Sequence, residues 1–231
     1  MPSELTSLLQ ARTPVVWAER AAADAAADAS VLIPAERERL AKLKHPRVAA
    51  EYLHGRSRLR TALGLWLGIE PAEVPLTVNA HGKPIHVDGA VEFNISHTNG
   101  WLAFAVSNSP IGVDVEVLQT SRDLAGLVQR YFSAHEQGQF AALPPSLHAA
   151  AFSKGWTCKE ALLKAIGTGM RDVQRCTVNL HPDQPAEVLA NVPATGFWRL
   201  ASWMLDDVTR LAVACPSTNV FGFPHRLSTP T

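Results

Sequence analysis

Ile111-Gly-Val-Asp-Val-Glu-Val117 is the stretch from which the rest of the chain can be read. Two-residue alternation puts Ile111, Val113, Val115 and Val117 on one face of a strand and Gly112, Asp114 and Glu116 on the other. Taken alone, that is a half-exposed strand with a solvated polar face. It is also a pair of carboxylates spaced to grip a hard cation such as magnesium, beside a glycine that lets a ligand approach the backbone. Upstream, short β-rich runs at 76–79, 91–96 and 101–107 are separated by turn residues such as His81-Gly82 and Asn99-Gly100. Before them, Pro34 opens a charged helix over 35–44, and a second helix runs over 46–67. Its apolar stripe, Tyr52, Leu59, Leu63 and Trp66, keeps three- and four-residue spacing. The alanine-rich segment 18–30 reads as either helix or solvated linker.

Downstream the helices return. Ser121 can cap one ending near Phe132, and Ser133-Ala-His-Glu136 is a capping box in which serine and glutamate satisfy each other's free amides. A long helix over 146–166 follows, with Gly167 as its stop. Strands are expected at 177–180, 187–190, 197–205 and 209–215, and the tail from Pro216, rich in Pro, Ser and Thr, reads as irregular. Helices followed by strands in each half indicate an α+β protein of two lobes, an N-terminal one over 1–110 and a C-terminal one over 111–231. No sequence repeat links the halves.

Composition bounds the partners. The chain has 231 residues, 47% of them hydrophobic, enough for a sizeable core. Lys+Arg and Asp+Glu both number 21, so no overall field gathers nucleic acid or an anionic membrane. Cys158, Cys176 and Cys215 are odd in number and far apart, which argues against a disulfide framework and a close metal pair. No apolar run approaches the roughly 18 residues of a membrane span, and the first 17 residues lack the pattern of a secretory signal. A cytoplasmic protein is expected.

Four other groups of residues carry possible chemistry. On the long helix, Glu160 and Lys164 stand four apart on one face, with Trp156 one turn earlier. That pair is an ordinary surface salt bridge or, beside further carboxylates, part of a site for a metal-bound diphosphate. Phe93-Asn-Ile-Ser-His97 places Phe93 and Ile95 inward by alternation and offers Ser96 and His97 as phosphate donors at a strand end. Gly82-Lys-Pro84 is turn chemistry, or a phosphate contact from Lys83 on a backbone stiffened by Pro84. Arg56 falls within the apolar stripe of its helix, which calls for a buried ion pair or a bound phosphate.

In order along the chain, Gly82-Lys-Pro84, Phe93-Asn-Ile-Ser-His97, Gly112-Val-Asp-Val-Glu116, Phe132-Ser-x-x-Glu136 and Trp156-x-x-Lys-Glu-Ala-x-x-Lys164 resemble the signature of the 4′-phosphopantetheinyl transferases. The match is to the surfactin-synthetase-activating (Sfp-type) subfamily and spans roughly residues 34–215. The resemblance implies two pseudosymmetric α+β lobes with the active site between them. It implies transfer of the 4′-phosphopantetheine arm of coenzyme A to a serine of an apo acyl or peptidyl carrier protein, magnesium-dependent. A monomer is expected because both halves of the site lie in one chain, and the balanced charge and lack of an apolar span point to neither nucleic acid nor membrane as partner. Asp114, Glu116 and Glu160 correspond to the magnesium ligands. Asp114, Glu160 and Lys164 take the catalytic positions. Arg56, Lys83, Pro84, Ser96, His97, Lys159 and Lys164 correspond to contacts with coenzyme A, with Arg39 and Arg47 as weaker candidates. A magnesium-dependent hydrolase of coenzyme A and a coenzyme-A-binding module without catalysis are the rival readings.

Overall fold

A computed structural model of the chain describes residues 1–21, 28–118, 123–191 and 196–217 and the backbone of 225–227. The first part runs α1 (Ser3–Gln10), β1 (Val15–Arg20), α2 (Pro34–Ala41), α3 (Pro46–Leu67), β2 (Leu76–Val78), β3 (Pro84–His86), β4 (Glu92–Thr98) and β5 (Trp101–Ser107). The second runs β6 (Gly112–Val117), α4 (Leu124–Tyr131), α5 (Ala134–Ala142), α6 (His148–Ile166), β7 (Cys176–Val178), β8 (Val188–Asn191), β9 (Trp198–Met204) and β10 (Thr209–Pro216). A last strand, β11 (His225–Leu227), pairs parallel to β1. The tail is therefore not wholly irregular: its ladder with β1 joins it to the first part of the chain. Two compact units result, Met1–Asn108 with Pro224–Thr231, and Ser109–Phe223. The expected α+β class is what the structure has.

The first unit is a four-stranded sheet of order β11-β1-β5-β4, with β1, β5 and β4 antiparallel. β4 and β5 join through Asn99 and Gly100, both with positive φ (41° and 81°), the backbone a two-residue hairpin turn needs. Leu59, Leu63 and Trp66 of α3 are buried in one cluster with Trp17, Phe93 and Phe104, and Trp17 stacks on Phe104 at 4.9 Å between ring centroids. Helix α3 ends at Gly68 in the left-handed region, φ 76°. The first strand and α1 lie in the N-terminal lead, for which the sequence reading gave no element. Ala18 to Arg20, assigned to the helix-or-linker segment, belong to β1, while 22–27 lie outside the described residues.

Two charged clusters fasten α3. Arg60, fully buried, donates from Nε to Glu36 Oε2 at 2.6 Å and from Nη1 to the carbonyls of Pro71 and Val74 at 3.1 Å. Glu19 of β1 accepts from His54 Nε2 at 2.8 Å and Arg58 Nε at 2.7 Å. Burial pushes the Glu19 carboxyl up, but the His54 hydrogen bond and the Arg58 charge outweigh it and hold it below the usual 4.5.

The second unit is a three-stranded antiparallel sheet of order β6-β10-β9, with a β7–β8 hairpin and α6 packed on the sheet. The polar face of β6 is not a solvated one, because α6 covers it. A Cβ on Gly112 would stand 2.0 Å from the Ala161 carbonyl oxygen and 2.4 Å from the Ala165 nitrogen. The glycine thus admits a helix backbone rather than a ligand. Gly155 plays the same part on α6, where a Cβ would meet Leu180 and Phe132 at 2.4 and 2.6 Å. The capping box at Ser133 and Glu136 forms as expected. The expected cap Ser121 lies outside the described residues, and the observed α4 cap is Asp123, which accepts from Gly126 N at 2.9 Å.

Two outcomes follow from these contacts. Gly112→Ala drives a methyl group into helix backbone that cannot rotate away, so the urea midpoint is expected to fall by the equivalent of about 3 kcal/mol; a loss under about 0.5 kcal/mol would mean α6 has room to move. For Glu19, a lowered folded-state value means its stabilisation is present above 4.5 and lost as pH falls through that lower value. Wild type should exceed Glu19→Gln in stability by about 2 kcal/mol at neutral pH, and the two should converge in acid when unfolding is followed against pH.

Candidate active site

The close packing of α6 on β6 brings together the side chains that the sequence had placed on separate elements. Asp114, 2% exposed, accepts from Lys164 Nζ through Oδ1 at 2.6 Å. Lys164 itself keeps 28% of its side chain in solvent. Glu116, two residues along the same strand face, accepts a hydrogen bond from the Trp156 side chain. Burial pushes the Glu116 carboxyl up to about 7, assisted by the charges of Asp114 and Glu160 and only partly offset by Lys164 and Trp156. Glu160 is raised too, by burial first and then by Asp114, against the pull of Lys164. Three carboxylates therefore share one negative field, with one partly exposed ammonium beside them.

They are near enough to repel one another but do not converge as ligands. Among the described residues no group of three or more His, Cys, Asp or Glu side chains stands ready to hold a metal ion. Asp114 is engaged with Lys164 and Glu116 with Trp156, so each side chain points to a protein partner. The donor set fits a hard divalent cation in its chemistry: three oxygen acids whose mutual repulsion, visible in the raised Glu116 and Glu160, a cation would relieve.

Lys159 is placed otherwise than expected. It is fully buried, its ammonium 2.5 Å from Glu136 Oε2 and 2.6 Å from the Cys176 carbonyl. Glu136, also fully buried, accepts from Ser133 N through Oε2 at 2.7 Å and from Val178 N through Oε1 at 2.9 Å. The glutamate of the capping box thereby ties α5, α6 and β7 together, and Lys159 neutralises it. With its protons directed to these partners, Lys159 faces the core rather than a soluble ligand.

In the first unit, Arg39, Tyr52, Arg56, Gly82, Pro84 and His97 line a cavity of about 380 Å³. Both guanidinium groups lie over the Tyr52 ring, Arg39 at 5.5 Å and Arg56 at 5.7 Å from its centroid. Lys83, in the same turn as Gly82, has its ammonium lowered by burial and partly restored by Glu92. Ser96, expected to face outward, is buried, while His97, its neighbour on the other face of β4, is exposed. Arg47, tied to Glu51 at 3.0 Å and to Asn99 Oδ1 at 2.8 Å, lies outside that lining, whereas Arg39 belongs to it. The buried ion pair foreseen for Arg56 is found one turn on, at Arg60, a residue the sequence reading passed over although it too lies on the helix's inner face.

A family model of the 4′-phosphopantetheinyl transferase superfamily matches residues 110–215, the segment carrying Asp114, Glu116, Glu160 and Lys164. The 4′-phosphopantetheinyl transferase HetI of Nostoc sp. is 35% identical over 191 residues, 80% of this chain and 79% of that protein. A 4′-phosphopantetheinyl transferase of Bacillus subtilis is 32% identical over 136 residues, 58% of this chain and 60% of its own. The transferase Sfp of Bacillus subtilis strain 168 is 27% identical over 156 residues, 67% and 69% of the two chains. β6 and α6 bring three carboxylates and a lysine together within the matched segment, and the chain is an enzyme of the transferase class. The chain belongs to the 4′-phosphopantetheinyl transferase family.

The buried pair has a testable signature. Lys159→Met alone strands the Glu136 charge and should cost about 3 kcal/mol. Adding Glu136→Gln, which keeps an acceptor for the Ser133 and Val178 amides, should restore at least half of that in urea unfolding and leave transfer measurable. A double variant that regains stability yet transfers nothing would return Lys159 to a direct role in the reaction.

Proposed function

We propose that the enzyme moves the 4′-phosphopantetheine arm of coenzyme A onto a serine of an apo acyl or peptidyl carrier protein and releases 3′,5′-ADP, with magnesium as cofactor. The reading is supported above all by Asp114, Glu116, Glu160 and Lys164 standing together on β6 and α6. The serine oxygen attacks the β-phosphorus and forms the new P–O bond. The bond from that phosphorus to the bridging oxygen of the nucleotide breaks, and the serine proton leaves to a base. Such a transfer depends on positioning and charge neutralisation more than on covalent catalysis.

Asp114, Glu116 and Glu160 would hold the metal, which when bound supplies positive charge at the diphosphate. The serine proton is assigned to Glu160, directly or through a water. Lys164, released from Asp114 by exchange of partners, offsets charge on the transferred phosphate. In the first unit, Arg39, Arg56 and His97 supply positive or hydrogen-bonding groups for the nucleotide's phosphates, with Lys83 and Pro84 of the adjoining turn. One copy of the chain carries every residue named, in keeping with a monomer. No helix among the described residues is long and apolar enough to cross a membrane, and a cytoplasmic site of action is proposed with the carrier substrate.

The test is mass spectrometry of a purified apo carrier protein incubated with the enzyme, coenzyme A and magnesium. The carrier should gain one phosphopantetheine, and EDTA or Glu160→Ala should slow the gain at least about 100-fold. Cleavage of coenzyme A with no gain on any of several carriers would favour a hydrolase and end this reading.

A further inference from the structure

One side chain of the second unit stands where a cation would act. Lys164 donates to Asp114 Oδ1 at 2.6 Å, and Asp114, 2% exposed, has lost most of the water that would solvate its charge. The same ammonium is felt by Glu116 and Glu160, where it opposes burial and the repulsion from Asp114. One lysine thus offsets all three carboxylates. A hard divalent cation takes oxygen ligands at roughly 2.0–2.6 Å, so on Asp114 it and the ammonium would stand a few ångström apart and repel. The position of Lys164 allows it to give way. It keeps 28% of its side chain in solvent, whereas Lys154 and Lys159 of the same helix are enclosed by protein acceptors.

We propose that Lys164 is the site's own counter-ion and competes with the metal, holding Asp114 and yielding it to a divalent cation. The exchange swaps ion-pair partners and makes or breaks no covalent bond. It has a consequence for the order of events. Yielding Asp114 releases the ammonium toward an anion, so metal uptake and the readiness of Lys164 for phosphate are coupled. By linkage, an anion that engages Lys164 favours the metal at Asp114 to the same degree. Lys164 thereby sets metal affinity as well as neutralising phosphate, and it keeps that affinity low until both ligands are at hand. The inference rests on the metal site proposed at Asp114, Glu116 and Glu160, and it assigns to that site a competitor within the chain.

Two measurements on the full chain test this, with magnesium chloride alone as the probe. In the first, wild type is treated with a limiting amine-acetylating reagent in EDTA or in magnesium, and each lysine is read by peptide mass spectrometry. Lys164 should react at least about threefold faster in magnesium, because an ammonium leaving a carboxylate gives up its proton more readily. Lys154 and Lys159, both buried, should stay unreactive in either condition and serve as internal controls. The second measurement is the calorimetric affinity for magnesium. Lys164→Gln should bind magnesium about tenfold more tightly than wild type, and Lys164→Arg, which keeps the charge, should stay within about twofold. Transfer should fall in Lys164→Gln all the same, so metal affinity and activity move in opposite directions, which a structural loss would not produce. Labelling of Lys164 that is unchanged or slower in magnesium would overturn the inference, a result that needs no variant to fold. A folded Lys164→Gln that binds magnesium no more tightly would overturn it too. If both measurements succeed while no carrier gains a phosphopantetheine, the exchange stands and the proposed reaction fails.

Discussion

The separation between the backbone of α6 and that of β6 is the constraint on which the second unit depends. A glycine at 112 brings the helix so near that the Ala161 carbonyl lies where a side chain would begin. Ala161, Ala165, Ala212 and Ala214, all buried, keep that interface thin. A thin interface has a chemical consequence. Short acidic side chains from the strand and longer ones from the helix meet in the same small volume, where their charges can no longer be solvated independently. The raised Glu116 and Glu160 are the electrostatic expression of that packing.

Three lysines on one helix show how context assigns a charge its task. Lys154 is buried and donates to the carbonyls of His181, Gln184 and Pro185, fixing the loop ahead of β8. Lys159 is buried against Glu136 and a carbonyl. Lys164, at the solvent end of the row, keeps part of its side chain exposed and holds a carboxylate it can exchange. A buried charge with complete partners is costly to disturb and therefore structural, whereas a partly exposed one can exchange a carboxylate for another anion at lower cost. The same division separates Arg60 from Arg39 and Arg56 in the first unit, where one guanidinium is enclosed by Glu36 and two carbonyls and the others lie over a tyrosine at a cavity wall.

The family assignment and the geometry bear on different questions. Similarity across four-fifths of the chain identifies the kind of enzyme. It does not distinguish a lysine that reaches a substrate from one that neutralises a cap. That distinction needs the burial of Lys159 and its contacts, and it reassigns a motif residue from ligand binding to the joining of α5, α6 and β7.

Local pattern alone determined much of this protein. The alternation at 111–117, the α3 stripe, the capping box at Ser133 and the turns at Asn99-Gly100 and Gly167 all depend on neighbours within a few residues, and each is found where the pattern put it. The carboxylates and Lys164 were legible for the same reason, as residues spaced on one face. What lay beyond the sequence were the partners. That Gly112 accommodates a helix, that Ser96 is buried while His97 is exposed, that Arg60 rather than Arg56 is enclosed, and that the tail returns to pair with β1 depend on segments distant along the chain. Periodicity gives the direction in which a side chain points. Only the packed structure decides what it meets there, because burial and pairing are properties of two surfaces and the local sequence describes one.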